Sequence, residues 1–521
     1  MGRISRKGER MSQTHEQIRP QMEGLFRQNF GTLGENAVLA SAPGRVELAG
    51  NHTDHQGGHT ISAGLNRRVY GLACPNGSRM ARVWMDGFGR TEVNLDDLVP
   101  VPAELNSSTA LIRGMAAAYA QHGGTPAGFD AVVVSEIPIG CGVSSSAAFE
   151  VLMGALIRET ATAGWPAPPE AASVSAAMAT GRPAPTESNS APASTLTSWP
   201  EPTEAAFSPT AWSDEAAIAS NASFDFRRAE ILSLPNPPTT GSQAAPTPGQ
   251  LVQLALDGQF AEAHYFGKPT GAQDQLASAF GGIVALDFLE NPPQVTPISA
   301  DFAASGYALM LIDSRCDHSQ YTAQFNSIPS DMLQVAALFG KRRLADVGAN
   351  LLLSRFPEVR EAVGDLAAMR ALHYFNENAR VQQQATALRE GNFAAFVQMA
   401  GESGASSAMF LQNVSPQPAG NLLRETDALP SSSPAQAGPA VLPSEAAQAT
   451  PPQPAMVIQA VCAALLQREG SWRIHGGGFG GSVLAFVPNH CAGEFAAALD
   501  RTLGYPACHP IAVSPQGLLV G

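Results

Sequence analysis

Residues 129–153 read FDAVVVSEIPIGCGVSSSAAFEVLM, and the order of residue types within them decides the architecture. Ala131–Ile137 is rich in β-branched residues and predicts a strand. Pro138 and the glycines Gly140 and Gly142 end it. Ser144, Ser145 and Ser146 then lead into Ala147–Leu152, a helix-forming run. The segment therefore predicts a strand, a glycine loop and a helix whose N-terminus carries three hydroxyls. The first N–H groups of a helix have no intrahelical partner and its dipole is positive there, so such an end attracts an anion. Glycine lets the backbone approach phosphate oxygens closely. The pattern lacks the GK[ST] of the P-loop and the GxGxxG of a dinucleotide site. A glycine turn before an ordinary serine cap would share its outline; three serines after Gly-x-Gly point to a phosphate loop.

Upstream, residues 41–64 read SAPGRVELAGNHTDHQGGHTISAG. Val38–Ala49 predicts a short apolar strand, followed by the polar row Asn51, His52, Thr53, Asp54 and His55 and a turn at Gly57-Gly58. A row of short donors and acceptors directly after a buried strand suits a hydroxyl-rich ligand, although a surface turn can hold the same residues. Downstream, residues 261–289 read AEAHYFGKPTGAQDQLASAFGGIVALDFL. Glu262 falls in a predicted helix over 251–264, Asp274 opens a second short helix, and 283–288 predicts a strand. Phosphoryl transfer needs a carboxylate for Mg²⁺ and a group that orients or deprotonates the acceptor hydroxyl. Glu262 and Asp274 can supply these roles, and either could equally be a solvated helix charge. Residues 472–488, WRIHGGGFGGSVLAFVP, place five glycines around Phe479 before a strand over 482–487. Such density allows close packing against a ligand or another segment, or a tight bend between strands.

Composition bounds the rest. The chain has 521 residues and a formal net charge of −14, which argues against a nucleic-acid surface. Of its 40 prolines, 14 fall in 166–248 and nine in 416–454, in stretches rich in Ala, Ser and Thr. Neither stretch has a helical or strand period, so both predict disordered insertions, with 224–231 as a patch able to order transiently. No apolar run is long enough to span a membrane. The N-terminus is basic but lacks the apolar segment of a secretory signal. Residues 1–10 read as a dispensable tail, with Met11 an equally good start. Six cysteines without CxxC spacing fit unrelated thiols in a reduced cytoplasm. The resulting division is a tail over 1–20, an N-terminal domain over 21–164 resumed over 249–300, insertions over 165–248 and 415–455, and a C-terminal domain over 301–414 and 456–521.

Taken together, the chain resembles the GHMP-family sugar kinases, and within them the galactokinases. The first family motif is matched by Gly44-Arg45-Val46 through Asn51-His52-Thr53-Asp54 and Gly57-Gly58, the phosphate loop by 138–148, the Gly-x-x-Asp-Gln segment by 271–275, and the third motif by 476–481. They occur in the family's order. The resemblance implies an α+β GHMP kinase fold of two domains, a ribosomal S5 domain 2-like N-terminal half and a ferredoxin-like C-terminal half, with the active site between them. It implies transfer of the γ-phosphoryl group of ATP to the anomeric hydroxyl of galactose, with Mg²⁺, in a cytoplasmic protein expected to be a monomer without nucleic-acid or membrane partners.

The resemblance also implies the site residues. Asp274 matches the catalytic aspartate and Arg45 the arginine paired with it. Glu262 matches the magnesium glutamate, with Ser145 or Ser146 as the second metal ligand. Gly140, Cys141, Gly142, Val143, Ser144, Ser145 and Ser146 match the ATP-binding loop. Asn51, His52, Thr53, Asp54, the backbone at Gly271 and Phe325 match the sugar-binding positions. Three departures are visible. Many galactokinases have Glu at Asn51 and Tyr at His55, although a divergent bacterial group shares the Asn-His-Thr-Asp-His form. The family's sugar-contacting Tyr, seven residues after a His, is replaced by Phe325 after His318, with Tyr321 out of register. No adenine-side aromatic precedes 111–114. A kinase for N-acetylgalactosamine or arabinose, and a non-catalytic galactose/ATP-binding regulator of the same fold, are the alternative readings.

Overall fold

The computed structural model describes residues 13–138, 142–161, 164–165, 245–268, 271–316, 321–415, 453–467 and 469–521. Residues 166–244 and 416–452 of the two Pro-rich insertions, the 224–231 patch, Gly140, Cys141 and His318 lie outside the described residues, while the expected insertion ends at 248 and 455 overlap helices that begin at Pro248 and Pro454.

The N-terminal half is organised by two long strands. β1 (Val38–Ala49) pairs antiparallel with β2 (His59–Pro75). β2 is long enough to serve two partners. Its first part pairs with β6 (Ile283–Asp287), which pairs with β7 (Gln294–Ile298), and its last part pairs with β5 (Phe129–Ser135). β5 runs parallel to β3 (Met80–Met85), whose other edge takes β4 (Gly89–Asn94). Nearly every β2 residue is buried because both faces of the sheet are covered. On one face lies α1 (His15–Phe30), which places Ile18, Met22 and Phe26 one helical turn apart against Leu39, Leu72 and Val132. On the other lie α2 (Ser108–Gln121), α3 (Ser145–Thr160), α4 (Pro248–Ala261) and α5 (Gln273–Phe280), which share a core with Val46, Ile61 and Val69.

The C-terminal half holds an antiparallel sheet in the order β11 (Cys508–Ile511), β8 (Tyr307–Asp313), β10 (Ser482–Pro488), β9 (Ser471–Ile474). Alternation along β10 sends Val483, Ala485 and Val487 to a core shared with α10 (Pro454–Leu466) and α11 (Ala492–Leu503). Leu484 and Phe486 face α9 (Phe393–Ser406). A helical lobe of α6 (Thr322–Leu338), α7 (Ala349–Ser354) and α8 (Phe356–Arg389) has its own core around Ile328, Met332, Leu344 and Tyr374. Gly364, at φ 84° and ψ 166°, breaks α8.

Two expected boundaries shift. The tail does not extend to residue 20, because Thr14 and Gln17 form a reciprocal capping box and α1 begins at His15. Nor does the chain end within the C-terminal half. After β11 it returns to add β12 (Leu519–Val520) to the free edge of β1. Arg68, which is buried, binds the carbonyls of Gln516 at 3.0 Å and Gly517 at 2.5 Å and fixes this return. A Cβ at Gly281 would lie 2.2 Å from the Gly517 nitrogen, so glycine is required where the returning backbone crosses. The last residues therefore stitch the two halves together beside the segment that carries Asp274.

Candidate active site

β1 has register irregularities between Pro43 and Arg45 and between Glu47 and Ala49. Such irregularities re-aim the side chains beside them, and Arg45 emerges here toward the start of α5. Its Nε donates to Asp274 Oδ1 at 2.5 Å and its Nη2 to Asp274 Oδ2 at 2.8 Å, a bidentate pair across 229 residues of sequence. Arg45 Nη1 donates to the Gly142 carbonyl at 2.8 Å, so one guanidinium links β1, the glycine loop and α5. Burial alone would raise the Asp274 carboxyl. The Arg45 charge and hydrogen bonds, together with the Ser144 hydroxyl, outweigh it and hold the group at about 2. The Asp274 side chain is still 25% exposed, which leaves it reachable from the cleft.

The glycine loop is pinned by the Arg45 N–H, which donates to the Val143 carbonyl at 3.1 Å. Ser144 occupies the N-cap of α3 in a left-handed conformation (φ 55°, ψ 57°) and makes no side-chain cap. Its hydroxyl instead donates to Asp274 Oδ2, which leaves the first turn of α3 without a side-chain cap. Of the two serines matched to a metal position, Ser146 is the one brought to Glu262: its Oγ lies 3.4 Å from Glu262 Oε1. Glu262 itself stands where α4 passes into a π-helical turn over Glu262–Phe266, a local widening that recurs at functional sites. Lys268 Nζ lies 3.1 Å from the same oxygen. Gln275 Nε2 bridges Glu262 Oε2 at 3.0 Å and Glu150 Oε2 at 2.8 Å. Glu150 is fully buried, and burial followed by the Glu262 charge raises its pKa well above the ordinary carboxylate value. The sequence analysis did not single out Glu150, although a lone acid between apolar pairs on α3 was a signal that could have found it.

The polar row after β1 is used differently from the expectation. Asn51 is fully buried, and its amide makes four hydrogen bonds. Nδ2 donates to Glu47 Oε1 at 3.2 Å and the Gly476 carbonyl at 2.7 Å, while Oδ1 accepts from Asn413 at 2.8 Å and Ser407 at 3.2 Å. No valence is left for a sugar, so Asn51 shapes the loop rather than lining the pocket. Thr53 is equally buried, with its hydroxyl 2.7 Å from the His59 carbonyl and 3.0 Å from that of Gly50. His52 Nε2 donates to the Gly477 carbonyl at 3.1 Å, which makes its Nδ1 an acceptor for His55 Nε2 at 3.2 Å. His55 Nδ1 in turn accepts from Gln56, whose Oε1 takes the Leu344 N–H at 3.1 Å. Burial lowers both imidazoles, that of His55 to about 4, so this relay runs through neutral rings. Only Asp54 of the four matched residues remains half-exposed. Burial, with the charges of Glu47 and Asp274 adding to it, raises its carboxyl to about 7. A Cβ at Gly271 would lie 1.8 Å from Asp54 Oδ2, so glycine is obligatory at that contact. The Phe325 ring packs 5.3 Å from the His52 ring.

The glycine motif at 476–481 is indeed a bend between paired strands, since Ile474 of β9 faces Val483 of β10. It is also a wall of the site. His475, which the sequence analysis did not single out, accepts through Nε2 from the Glu47 N–H at 3.1 Å and from Arg45 Nη1 at 3.3 Å. Burial and the neighbouring guanidiniums hold it neutral, well below the usual histidine range. Behind it, fully buried Arg473 pairs with Glu47 at 2.5 Å. Asn413, just before the second insertion, lies within this network.

Residues 24–75 match the galactokinase galactose-binding signature, and residues 110–183 match the GHMP kinases N terminal domain. The chain is similar to the galactokinase of Glaesserella parasuis, 23% identical over 89% of this chain and 88% of that one. It is also similar to the galactokinase of Bacillus subtilis, 34% identical over 27% of this chain and 36% of that one. Its fold matches the crystal structure of Lactococcus lactis galactokinase complexed with galactose, with a TM-score of 0.64 at 18% identity, over 96% of this chain and 99% of that one. The matched signatures, the similar galactokinases and the shared fold together support a galactokinase of the GHMP kinase family.

Proposed function

We propose that the protein transfers the γ-phosphoryl group of ATP to the anomeric hydroxyl of galactose, giving galactose 1-phosphate. The observation that carries this reading is the bidentate Arg45–Asp274 pair, joined by Ser144 at the uncapped start of α3. Asp274 receives the sugar hydroxyl as a hydrogen-bond donor and aims its lone pair at the γ-phosphorus. A carboxylate held at about 2 is a weak base, so its role is orientation rather than early proton removal. Arg45 keeps Asp274 ionised and faces the equatorial phosphoryl oxygens, where charge spreads in the transition state. Gly142, Val143 and Ser144–Ser146 cradle the ATP phosphates at the helix end, and Gly140 and Cys141 are assigned to the same role by their motif match alone.

The donor set near that end fits Mg²⁺. Glu262 and Ser146 offer two hard oxygens 3.4 Å apart, in keeping with an ion that takes one or two protein ligands and completes its shell with phosphate and water. When bound there, the ion neutralises charge on the β- and γ-phosphates. Asp54, the Gly271 backbone and the Phe325 ring face the sugar, while Asn51, His52 and Thr53 hold the loop that presents Asp54.

A kinase for another sugar is the second reading. Two observations favour it: Phe325 brings no hydroxyl, and Asn51 has no free hydrogen-bonding group. ADP release measured against galactose, N-acetylgalactosamine and arabinose, with and without Mg²⁺, separates the two. Galactose is expected to be the best acceptor. Turnover confined to another sugar gives the second reading, and binding of galactose and ATP without any ADP release gives the non-catalytic alternative.

A further inference from the structure

Lys268 belongs to no motif that the function has absorbed, yet it stands at the chemical centre of the site. Its ammonium lies 3.1 Å from Glu262 Oε1, the same oxygen that Ser146 approaches at 3.4 Å. The backbone enforces this. The π-helical turn closes so that the N–H groups of both Gly267 and Lys268 donate to the Glu262 carbonyl at 3.0 Å, which folds Lys268 back over the residue that its side chain contacts. The partners differ in access: the Glu262 side chain is 3% exposed and that of Lys268 is 34% exposed. The lysine stem therefore has room to swing while its carboxylate partner does not. Burial pulls the ammonium toward deprotonation, but the charges of Glu262 and Asp274 outweigh it and raise its pKa.

We propose that Lys268 is a second cationic group of the phosphoryl-transfer site, which competes with the divalent cation for Glu262 Oε1 and, when displaced from it, moves onto the transferring phosphoryl group. The inference rests on the kinase reading. An ammonium and a divalent cation repel each other strongly at contact distance, so both cannot share one carboxylate oxygen. The displaced ammonium remains tethered at the mouth of the cleft, with Asp274 and the α3 terminus as its surroundings. A phosphoryl group passing between them is the anion within its reach, and a compact, mobile point charge suits that role. Two cations then flank the transferring group, Arg45 fixed by its carboxylate and Lys268 delivered only when the metal has bound. Such an arrangement ties phosphoryl stabilisation to correct loading of the nucleotide.

The test uses the full chain with Lys268→Met and Lys268→Arg. Mn²⁺ binding is titrated by electron paramagnetic resonance without nucleotide, and initial rates are measured over a range of Mg²⁺ at saturating ATP and sugar. Lys268→Met is expected to bind Mn²⁺ several-fold more tightly, because the competitor is gone, while kcat falls about 10–100-fold and the sugar Kd stays within twofold. Lys268→Arg, which keeps the charge, is expected to recover part of kcat. An unchanged kcat, or weaker Mn²⁺ binding in Lys268→Met, overturns the proposal, since a merely structural ion pair gives those results. Should Lys268→Met unfold, Lys268→Arg still decides by the position of its Mg²⁺ dependence, which must stay close to wild type. If wild type phosphorylates no sugar, the kinase reading fails separately, and the Mn²⁺ titration still reports the competition.

Discussion

Two neighbouring groups of polar side chains use the same vocabulary for opposite ends. Around Asp274, one carboxylate meets Arg45 and Ser144 yet stays 25% exposed, and Oδ1 carries one described bond against two at Oδ2. Around Asn51, six residues away from Arg45 in sequence, the amide is fully buried with two donors and two acceptors engaged. Residue type does not separate a reacting group from a structural one. The balance of used and unused hydrogen-bonding valence does, because a ligand can be held only by groups that folding has left free.

The largest effect should come from the open group. Asp274→Asn is expected to lower kcat about 10²–10³-fold, with sugar binding changed only a few-fold, in steady-state rates and calorimetric titration. Substantial turnover in that variant would remove the pair from the centre of the reaction. The closed group should answer in stability instead. Asn51→Ala leaves Glu47, Ser407 and Asn413 short of a partner and is expected to cost about 2–4 kcal/mol in denaturant unfolding. Loss of sugar affinity at unchanged stability would break the contrast.

Asp54 lies between these extremes, and pH exposes it. With its carboxyl at about 7, the sugar-free protein holds a proton there below neutrality, whereas sugar hydroxyls donate best to the carboxylate. Sugar affinity is therefore expected to rise with pH up to about 7 and then level, with proton release on binding seen in buffers of different ionisation enthalpy. Asp54→Asn should flatten that profile and weaken binding by about 1–2 kcal/mol. The raised value also means that Asp54 is stabilising while protonated. The sugar-free wild type should lose stability relative to Asp54→Asn as pH climbs from about 4, the unfolded value, to about 7. The smallest effect is expected from Phe325→Tyr, which adds a hydroxyl beside His52. It should shift the ranking of sugars by less than about 1 kcal/mol and leave the KM for ATP unchanged.

Much of the frame was legible because it is local. The strand–loop–helix at 129–153, the strand before the polar row, the short helix opening at Asp274 and the hairpin around the glycines follow from periodicity and turn residues alone. A Thr-x-x-Gln box at Thr14 is present in the sequence, yet a cap alone does not set α1 apart from a tail, because only burial against Leu39 and Leu72 gives the helix its place. His475 escaped notice because a histidine beside glycines carries no signal until Glu47 and Arg45 are placed on its Nε2. Glu150 could have been found as an acid on an apolar helix face. Lys268 could not, because its meaning depends on the π-helical turn that folds it over Glu262.

By itself, then, the sequence determined the elements, their order and the residue types that phosphoryl transfer requires, since these depend on interactions within a few residues. Tertiary structure alone decided which of those groups face a ligand and which are consumed by the fold. It brought Arg45 to Asp274 across 229 residues, closed the amide of Asn51 and returned the last strand to the first sheet. The physical reason is that a side chain's free valence is what remains after every buried polar neighbour has found its partner, and those neighbours come from distant parts of the chain.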